Sequence, residues 1–520
     1  KQMRTMNPLD PAQLLRVKQL GFSDEDIGRS CGLTTKDIRS VRQTNGIKPT
    51  YYSIKTTEGS FYYSSYDKDV SHKNISQPSE RKVVVLGSGP IRIGQGIEFD
   101  FSTVHAAWTL RNMGYESIII NNNPETVSTD STVSQHLYFE PLTEEDVWEV
   151  IQYEKPLGVL VQFGGQTAIN LADFLEEQGV SIFGTSAGST AGMEDRHQFD
   201  EALEKLNIHR PKGRTADTKQ EAVDLADQLA YPVVIRPSYV LGGRGMEVIN
   251  NKEELYEYLK EYSDISGYPL LIDNYVPGIE IEVDAICDGE NVFLPGIMEH
   301  LERAGVHSGD SIAVFPAQSL TDDMIQQVYE CTRLIGQHFQ VKGFINIQFV
   351  ISEETLYVLE VNPRSSRTVP FLSKVTGIPL PRLAVQVSLG ETLTDLGYLG
   401  LLERDWNTVA VKVPVFSFAK LKGMEVTLGP EMKSTGEVMG RDRTLVKALY
   451  KGFLGANVPM PRRGQALITV ADKDKKEVVP LAHQLSQLGM ELICTIGTAK
   501  VLKKEGILCQ VVPKLDESNE

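Results

Sequence analysis

The chain has 520 residues, with 52 Lys plus Arg against 69 Asp plus Glu and a net charge of −17. That length suggests three or four domains. An acidic chain lacks the general field that draws DNA or an anionic membrane, so any bound phosphate must be held by a local site. Hydrophobic residues make up 41% and charged residues 23%, as in a globular protein, and no window approaches the roughly 18 uncharged apolar residues of a membrane-spanning helix.

The five cysteines, Cys31, Cys287, Cys331, Cys494 and Cys509, are far apart and none forms a CxxC pair. That argues against a thiolate zinc site and a disulfide framework, and fits a reducing cytoplasm. The chain opens on Lys1 and ends in a charged run at 515–520, which reads as a piece of a longer polypeptide.

Residues 1 to about 50 read as short helices. Asp10-Pro11 opens one, and Ser23 and Thr34 or Thr35 cap two more, each followed by acidic residues in the first turn. The arrangement resembles a helix-turn-helix, but the recognition segment is short and the chain is acidic, so a small helical packing domain is expected. Residues 51–80, rich in Ser and Tyr, read as a linker or wrapping segment.

From residue 81 the rhythm changes. The apolar strands RKVVVLGSG, ESIIINNN, LGVLVQFGGQT and VSIFGTS alternate with helical stretches such as 102–113 and 143–154, the pattern of a parallel sheet in an α/β domain. Residues 194–400 read as α+β, with a helix at 195–206, the strands YPVVIRPS, PLLIDNYV, IEIEVDAICDG, FINIQFV and TLYVLEVN, and antiparallel pairing expected. Residues 401–461 hold the strand NTVAVKVPVFSF and a helix at 442–453. A new strand-helix-strand unit starts at 464, with room for half a domain, and no internal repeat is visible.

Five constellations carry chemistry. Asn346 and Gln348 share one face of FINIQFV, Glu360 and Asn362 share one face of LYVLEVN, and the hairpin-length ISEE joins the two. Gln348, Glu360 and Asn362 form a hard oxygen set suited to magnesium or manganese carried with a nucleotide; the competing reading is an amphipathic hairpin with a wet face. The loop Gly242-Gly243-Arg244-Gly245 between two strands lets backbone amides approach phosphate oxygens, or is a flexible hairpin tip. Arg236, at the end of an apolar strand beside Pro237, needs an anion.

Arg364 and Arg367 follow the oxygen set within EVNPRSSRTVPF, and two guanidiniums beside a metal suit a transferring phosphoryl group. His307 lies among small residues in ERAGVHSGDS, where nucleotide contact fits better than acid/base work. GSGPIRIGQGIEFD resembles a dinucleotide turn, but Arg92 replaces the third glycine of the fingerprint. Glu280, Glu282 and Asp284 share one strand face. At least one is expected to hold a ribose or a cation, and the others to be neutralised by arginines or to lie in solvent.

Taken in order along the chain, RKVVVLGSGPIRIGQGIEFD, NNNPETVSTD, VQFGGQTAINLA, RPSYVLGGRGMEV, IMEHLERAGVHSGDS and LEVNPRSSRTVPFLSK resemble the large subunit of carbamoyl phosphate synthetase. The likeness is to the second, C-terminal synthetase half followed by the start of a regulatory domain. It implies a helical oligomerisation-type domain and linker at 1–75 and a Rossmann-like pre-ATP-grasp domain at 76–193. An ATP-grasp domain would follow at 194–400, the remainder of the synthetase unit at 401–461, and a truncated methylglyoxal-synthase-like domain at 462–520.

The resemblance further implies phosphorylation of carbamate by ATP with Mg2+ or Mn2+, within cytoplasmic pyrimidine or arginine biosynthesis. Arg196 and Arg236 would contact nucleotide phosphates, with Gly242, Gly243 and Arg244 closing over them. Asn274 and Val276 would border the adenine, with Asn274 standing where the family has a histidine. Glu280 would hold the ribose, and Gly305, Val306, His307 and Ser308 would line the nucleotide. Gln348 and Glu360 would touch both nucleotide and metal, Asn362 the metal, and Arg364 and Arg367 the reacting groups. Lys476, Thr495 and Thr498 match effector-binding positions. Expected partners are carbamate, the N-terminal synthetase half, a small glutaminase subunit and further copies of the chain, with no nucleic acid and no membrane. Two other readings stand beside this one: a sister ATP-grasp carboxylase or ligase, and a non-catalytic nucleotide-binding assembly or regulatory fragment.

Overall fold

The computed structural model describes residues 10–55, 60–67, 81–237, 242–262, 269–420 and 426–514. The chain divides into two compact units, Lys1–Gly452 and Phe453–Glu520.

The first unit opens with helices Pro11–Gln19, Asp24–Cys31 and Thr35–Thr44. They begin where Asp10, Ser23 and Thr34 each accept a first-turn amide. Leu14, Ile27 and Ile38 form their small core. Their cations turn inward: Arg42 is fully buried, with Nη1 donating to Glu149 at 2.7 Å and Nε to Asp24, and Lys18 pairs with Glu145. Glu145 and Glu149 lie on helix Glu144–Glu154 of the next domain. The network clamps the helices down and leaves these cations unavailable to a phosphate backbone.

Next comes a seven-stranded sheet in the spatial order Thr50–Lys55, Ser60–Ser65, His136–Tyr138, Glu116–Ile120, Lys82–Leu86, Gly158–Leu160, Ile182–Phe183. Its last five strands are parallel. The first two correct the reading of residues 51–80 as a linker. They form an antiparallel hairpin that joins the sheet through the parallel pair Phe61↔Leu137. Tyr51 and Tyr62 bury their rings against Tyr138, at centroid distances of 5.3 and 5.1 Å, so aromatic burial fixes what polar composition suggested was loose. Residues 68–80 of that predicted linker lie outside the described residues.

Glu140, 4% exposed, lies two residues past the strand His136–Tyr138 and accepts a 2.9 Å hydrogen bond from Ser64 Oγ. Burial is the main cause that lifts its carboxyl from 4.5 to about 7. A carboxyl raised on folding contributes stability that is fully present below the unfolded value and is lost as pH rises through 7. Glu140→Gln should therefore raise the melting temperature at pH 8, by roughly 2 kcal/mol of stability. At pH 5 the gain should largely vanish in thermal melts.

The second large domain contains two sheets. A four-stranded antiparallel one runs Glu247–Ile249, Val233–Pro237, Leu270–Asn274, Gly213–Ala216. The other has the main order Thr355–Asn362, Lys342–Ser352, Ile279–Asp288, Met298–Arg303, Ala313–Phe315, Val409–Phe416, Ser434–Asp442. One face of this sheet packs Ile281, Val283, Ile345, Ile347, Phe349 and Val358 into a core. The alternate residues of the same strands point to the opposite face, where the polar residues collect.

The second unit carries a parallel sheet, Gln465–Ile468, Glu491–Thr495, Gln510–Val512, with helices Val478–Gln487 and Ile496–Lys504. Ile468, Ala482, Cys494 and Leu502 centre its own core. Among the described residues no helix is long and apolar enough to cross a membrane.

Candidate active site

The predicted hairpin forms between Lys342–Ser352 and Thr355–Asn362. Its turn is Glu353-Glu354, both at positive φ (47° and 65°), the two-residue geometry that matches strand twist. Gln348 lies opposite Glu360, and Asn346 opposite Asn362. A bulge between these pairs and Phe349↔Val358 takes up Leu359. It lets Val358 and Val361 both reach the core while Glu360 stays on the polar face. Glu360 is exposed, and Gln348 Nε2 donates to Ser308 Oγ at 3.1 Å, which ties the hairpin to the His307 loop. Asn362 sits two pairs further on, its Oδ1 accepting from Arg364 Nη2 at 3.1 Å.

The expected fate of the three acids on Ile279–Asp288 needs correcting. Glu280, Glu282 and Asp284 are 8%, 4% and 1% exposed, so none lies in solvent, and their described hydrogen-bond partners include no arginine. His300 lies between Glu280 and Glu282, at 3.3 and 3.5 Å. Burial opposes its charge, but bonds and charges from both glutamates outweigh that and hold it at about 9, an imidazolium at neutral pH. Asn346 Nδ2 donates to Glu282 at 2.8 Å and to Asp284 at 3.1 Å. Thr368 Oγ1 donates to Asp284, whose carboxyl burial and Glu282 push upward. The network is a rigid floor beneath the hairpin.

Glu280 Oε1 also accepts from Gly305 N at 3.0 Å, and Tyr275 Oη donates to Ala304 O at 2.6 Å. These bonds draw the Asn274–Val276 segment, Glu280 and the start of the Gly305–Ser308 loop together. Val276 is half-buried, and Asn274 Nδ2 turns to Leu229 O at 3.1 Å. Burial, then Arg367 and Lys412, push His307 down to about 3, so the ring is neutral at neutral pH and accepts from Gly309 N at 3.0 Å. That suits contact rather than proton donation, as its setting among small residues suggested.

A carboxylate lies near Arg236, although Arg236 makes no direct ion pair among the described residues. Asp273 forms an ion pair with Arg196, and Arg236 adds its field to both. The two predicted phosphate-binding arginines thus face one carboxylate. Gly242, Gly243 and Gly245 all have positive φ (63°, 66° and 72°), and Arg244 is exposed. The preceding residues of the same predicted loop, 238–241, lie outside the described residues. Gly242 O accepts from Met432 N at 2.9 Å, and Gly245 N donates to Glu431 Oε2 at 3.1 Å. The strap Gly429–Ser434 reaches the His307 loop too, through His307 N to Gly429 O at 2.9 Å and through Asp310, which accepts from Lys433 N and Ser434 N at 2.8 Å each. Sequence reading missed this strap.

It also missed Lys412. This lysine is 1% exposed in the middle of Val409–Phe416, and its Nζ donates to Ser308 O at 3.1 Å. A charged residue inside the apolar run VAVKVPV was the available signal. Arg364 is held at Nε by Gln166 Oε1, 3.0 Å, and lies over the Phe99 ring at 5.6 Å. Arg367 differs: its Nη2 is buried and has no hydrogen-bond partner among the described residues. An unpartnered buried guanidinium nitrogen invites an anion.

In the dinucleotide-like turn, Asn121 Oδ1 accepts from Gly89 N at 3.0 Å, and a Cβ on Gly87 would strike the Asn121 side chain. The protein itself fills the cradle a pyrophosphate would need, consistent with the broken fingerprint. In the second unit Thr495 and Thr498 meet, with hydroxyls 3.4 Å apart, at the start of Ile496–Lys504. Lys476 is exposed, and Lys475 is the cation facing Gly497 there.

The sequence matches the carbamoyl phosphate synthase preATP-grasp domain over residues 79–191 and the carbamoyl-phosphate synthase L chain ATP binding domain over residues 195–396. An MGS-like domain matches at 477–520. The chain belongs to the carbamoyl phosphate synthase large-chain family. Its fold recurs in other ATP-grasp proteins. The biotin carboxylase domain of Hydrogenobacter thermophilus 2-oxoglutarate carboxylase, solved with MgADP, ADP and bicarbonate, is 18% identical; the match covers 65% of this chain and 75% of that one, with TM-score 0.51. Biotin carboxylase from Campylobacter jejuni is 16% identical, covering 65% and 76%, with TM-score 0.51. N5-carboxyaminoimidazole ribonucleotide synthetase from Thermotoga maritima is 13% identical, covering 73% and 98%, with TM-score 0.53. At these identities the likeness is one of fold. The carbamoyl phosphate synthase family members and these neighbours share an ATP-grasp, ligase-type framework.

Proposed function

We propose that this protein phosphorylates carbamate with ATP, giving carbamoyl phosphate and ADP. The observation that carries the reading is the meeting of three elements. The Gln348–Glu360 pair is tied to the neutral His307 loop through Ser308, whose carbonyl Lys412 holds, and Arg367, with its unpartnered buried nitrogen, lies close enough for its charge to act on His307. The match to the carbamoyl-phosphate synthase ATP binding domain supports carbamate as the substrate.

The residues present fit a divalent cation. The Glu360 carboxylate and the Gln348 amide oxygen lie on facing strand positions, and both belong to the hard oxygen class. Glu360 and Gln348 would hold Mg2+ or Mn2+, with Asn362 beside them, and the bound cation would neutralise charge on the nucleotide phosphates. Arg196, Arg236 and the Gly242–Gly245 loop would take the phosphate tail, which would displace Asp273 from the arginines. Asn274, Val276 and Glu280 would take adenine and ribose. Arg364 and Arg367 would orient the carbamate and the transferring group. A carbamate oxygen forms the new bond to the γ-phosphorus as the bond to the β-bridging oxygen breaks, and ADP leaves with that electron pair. Positioning and charge neutralisation do the work, and no side-chain nucleophile is required.

The expected result is ADP release that depends on ammonium carbamate. Release driven by bicarbonate without ammonia would instead favour a sister carboxylase, and release independent of both would favour a nucleotide-binding fragment. Lys476, Thr495 and Thr498 are offered as the effector site of the second unit, with Lys475 beside Gly497 as a neighbouring cation. The N-terminal synthetase half, the small glutaminase subunit and a cytoplasmic location in pyrimidine or arginine synthesis belong to the same proposal.

A further inference from the structure

Arg364 is one of the most tightly held cations described. Its Nη1 donates to Ser365 O and its Nη2 to Asn362 Oδ1, each at 3.1 Å, both within its own strand-end segment. The third hold comes from the preATP-grasp domain. Nε donates to Gln166 Oε1 at 3.0 Å, and the Phe99 ring lies against the guanidinium. Gln166 sits in the short helix Gly165–Ile169 that follows the GG of VQFGGQT. Its own amide is fixed in turn: Nε2 donates to Glu194 Oε1 at 2.8 Å and to Asn170 Oδ1 at 3.0 Å. With its NH2 group directed to two acceptors, the amide must present its oxygen to Arg364.

The chain of contacts has a mechanical footing. Gln162, four residues earlier, bonds through Nε2 to Pro363 O at 3.1 Å and through its backbone O to Ser365 N at 2.9 Å, so the segment bearing Arg364 is docked on the GGQT turn. Of the five guanidinium N–H groups, three are engaged. One on each terminal nitrogen has no partner among the described residues, a fork suited to the oxygens of a carboxylate or phosphoryl group.

We propose that Gln166, oriented by Glu194, is a positioning residue that sets the plane of the Arg364 guanidinium, so that the preATP-grasp domain takes part in phosphoryl transfer. This rests on the role given to Arg364 above. Without the Nε acceptor the guanidinium keeps the two bonds within its own segment but loses its hydrogen bond from the preATP-grasp domain, so its plane is held less tightly and the fork meets the substrate in a wider range of orientations. The effect belongs in the rate at saturation and not in nucleotide binding, because adenine, ribose and phosphate-tail contacts lie on other strands.

The test is ATP formation from carbamoyl phosphate and ADP by the full chain, in wild type, Gln166→Met, Gln166→Glu combined with Glu194→Gln, and Arg364→Lys, with melting temperatures for each. Gln166→Met should lower kcat about tenfold or more and leave KM for ADP within about twofold. The paired Glu/Gln exchange restores an acceptor for Arg364 and a donor for position 194's partner role, and should recover most of the rate. Gln166→Met added to Arg364→Lys should cost little further. Wild-type kcat in Gln166→Met, or equal losses in kcat, KM and melting temperature with no recovery in the exchange, would overturn the inference alone. Wild-type kcat in Arg364→Lys, or no transfer by the wild type, removes the role of Arg364 and this inference together.

Discussion

Glu360→Gln should abolish most phosphoryl transfer while leaving the fold intact. Glu360 is exposed on the polar face opposite Gln348, so an isosteric amide costs no packing and leaves the ladder in place. It removes the single charge among Gln348, Glu360 and Asn362. A bound divalent cation contributes several kcal/mol of charge stabilisation, so losing its only anionic ligand should lower kcat by roughly 10²–10³. The spectroscopic signal of Mn2+ bound with ADP should be lost in the variant while its melting temperature holds. Near-normal rates with normal Mn2+ binding would show that the hairpin face is only a wet surface.

Gly243→Val should be nearly as damaging, for a different reason. Gly243 has φ +66°, in the left-handed region that a β-branched residue resists. A Cβ there would also run into the carbonyl oxygen of Pro430 in the strap. The strap holds the loop at Gly242 O and Gly245 N, so the variant must break that register or distort the loop. In the proposed account the loop closes over the phosphate tail and keeps water from the reacting group. We therefore expect a fall in transfer rate of about tenfold or more, with a smaller change in ADP affinity. Calorimetric ADP binding and ATP formation in the same variant separate the two. Lost affinity with a preserved saturating rate would make the loop a binding element and not a lid. No change in either would reduce it to a hairpin tip.

What the sequence made legible follows from periodicity. Ile345, Ile347 and Phe349 are fully buried, and their alternation alone set Asn346 and Gln348 on the other face. The same argument placed Glu360 and Asn362. The bulge at Leu359 was not legible, although two core valines three positions apart, Val358 and Val361, carried its trace. Partnerships between distant elements left no local signal. His300 between Glu280 and Glu282, Asp310 under Lys433 and Ser434, and Lys412 on the Ser308 carbonyl each depend on strands or loops joined only by the fold. Asp273 was visible beside Asn274, but its pairing with Arg196 depends on where the helix Arg196–Lys205 starts against its strand, and its nearness to Arg236 on the register Leu271↔Arg236. The Tyr51–Ser65 hairpin escaped notice because its stabilising partner, Tyr138, lies more than one domain element away in sequence.

The central claim is that this chain moves a phosphoryl group between ATP and carbamate, and the reverse direction tests it most directly. Purified protein is mixed with carbamoyl phosphate, ADP and Mg2+, and ATP is measured. The account predicts ATP formation that requires the divalent cation and fails in Glu360→Gln. No ATP above the uncatalysed background from the folded wild-type protein, with ADP shown to bind, would contradict it.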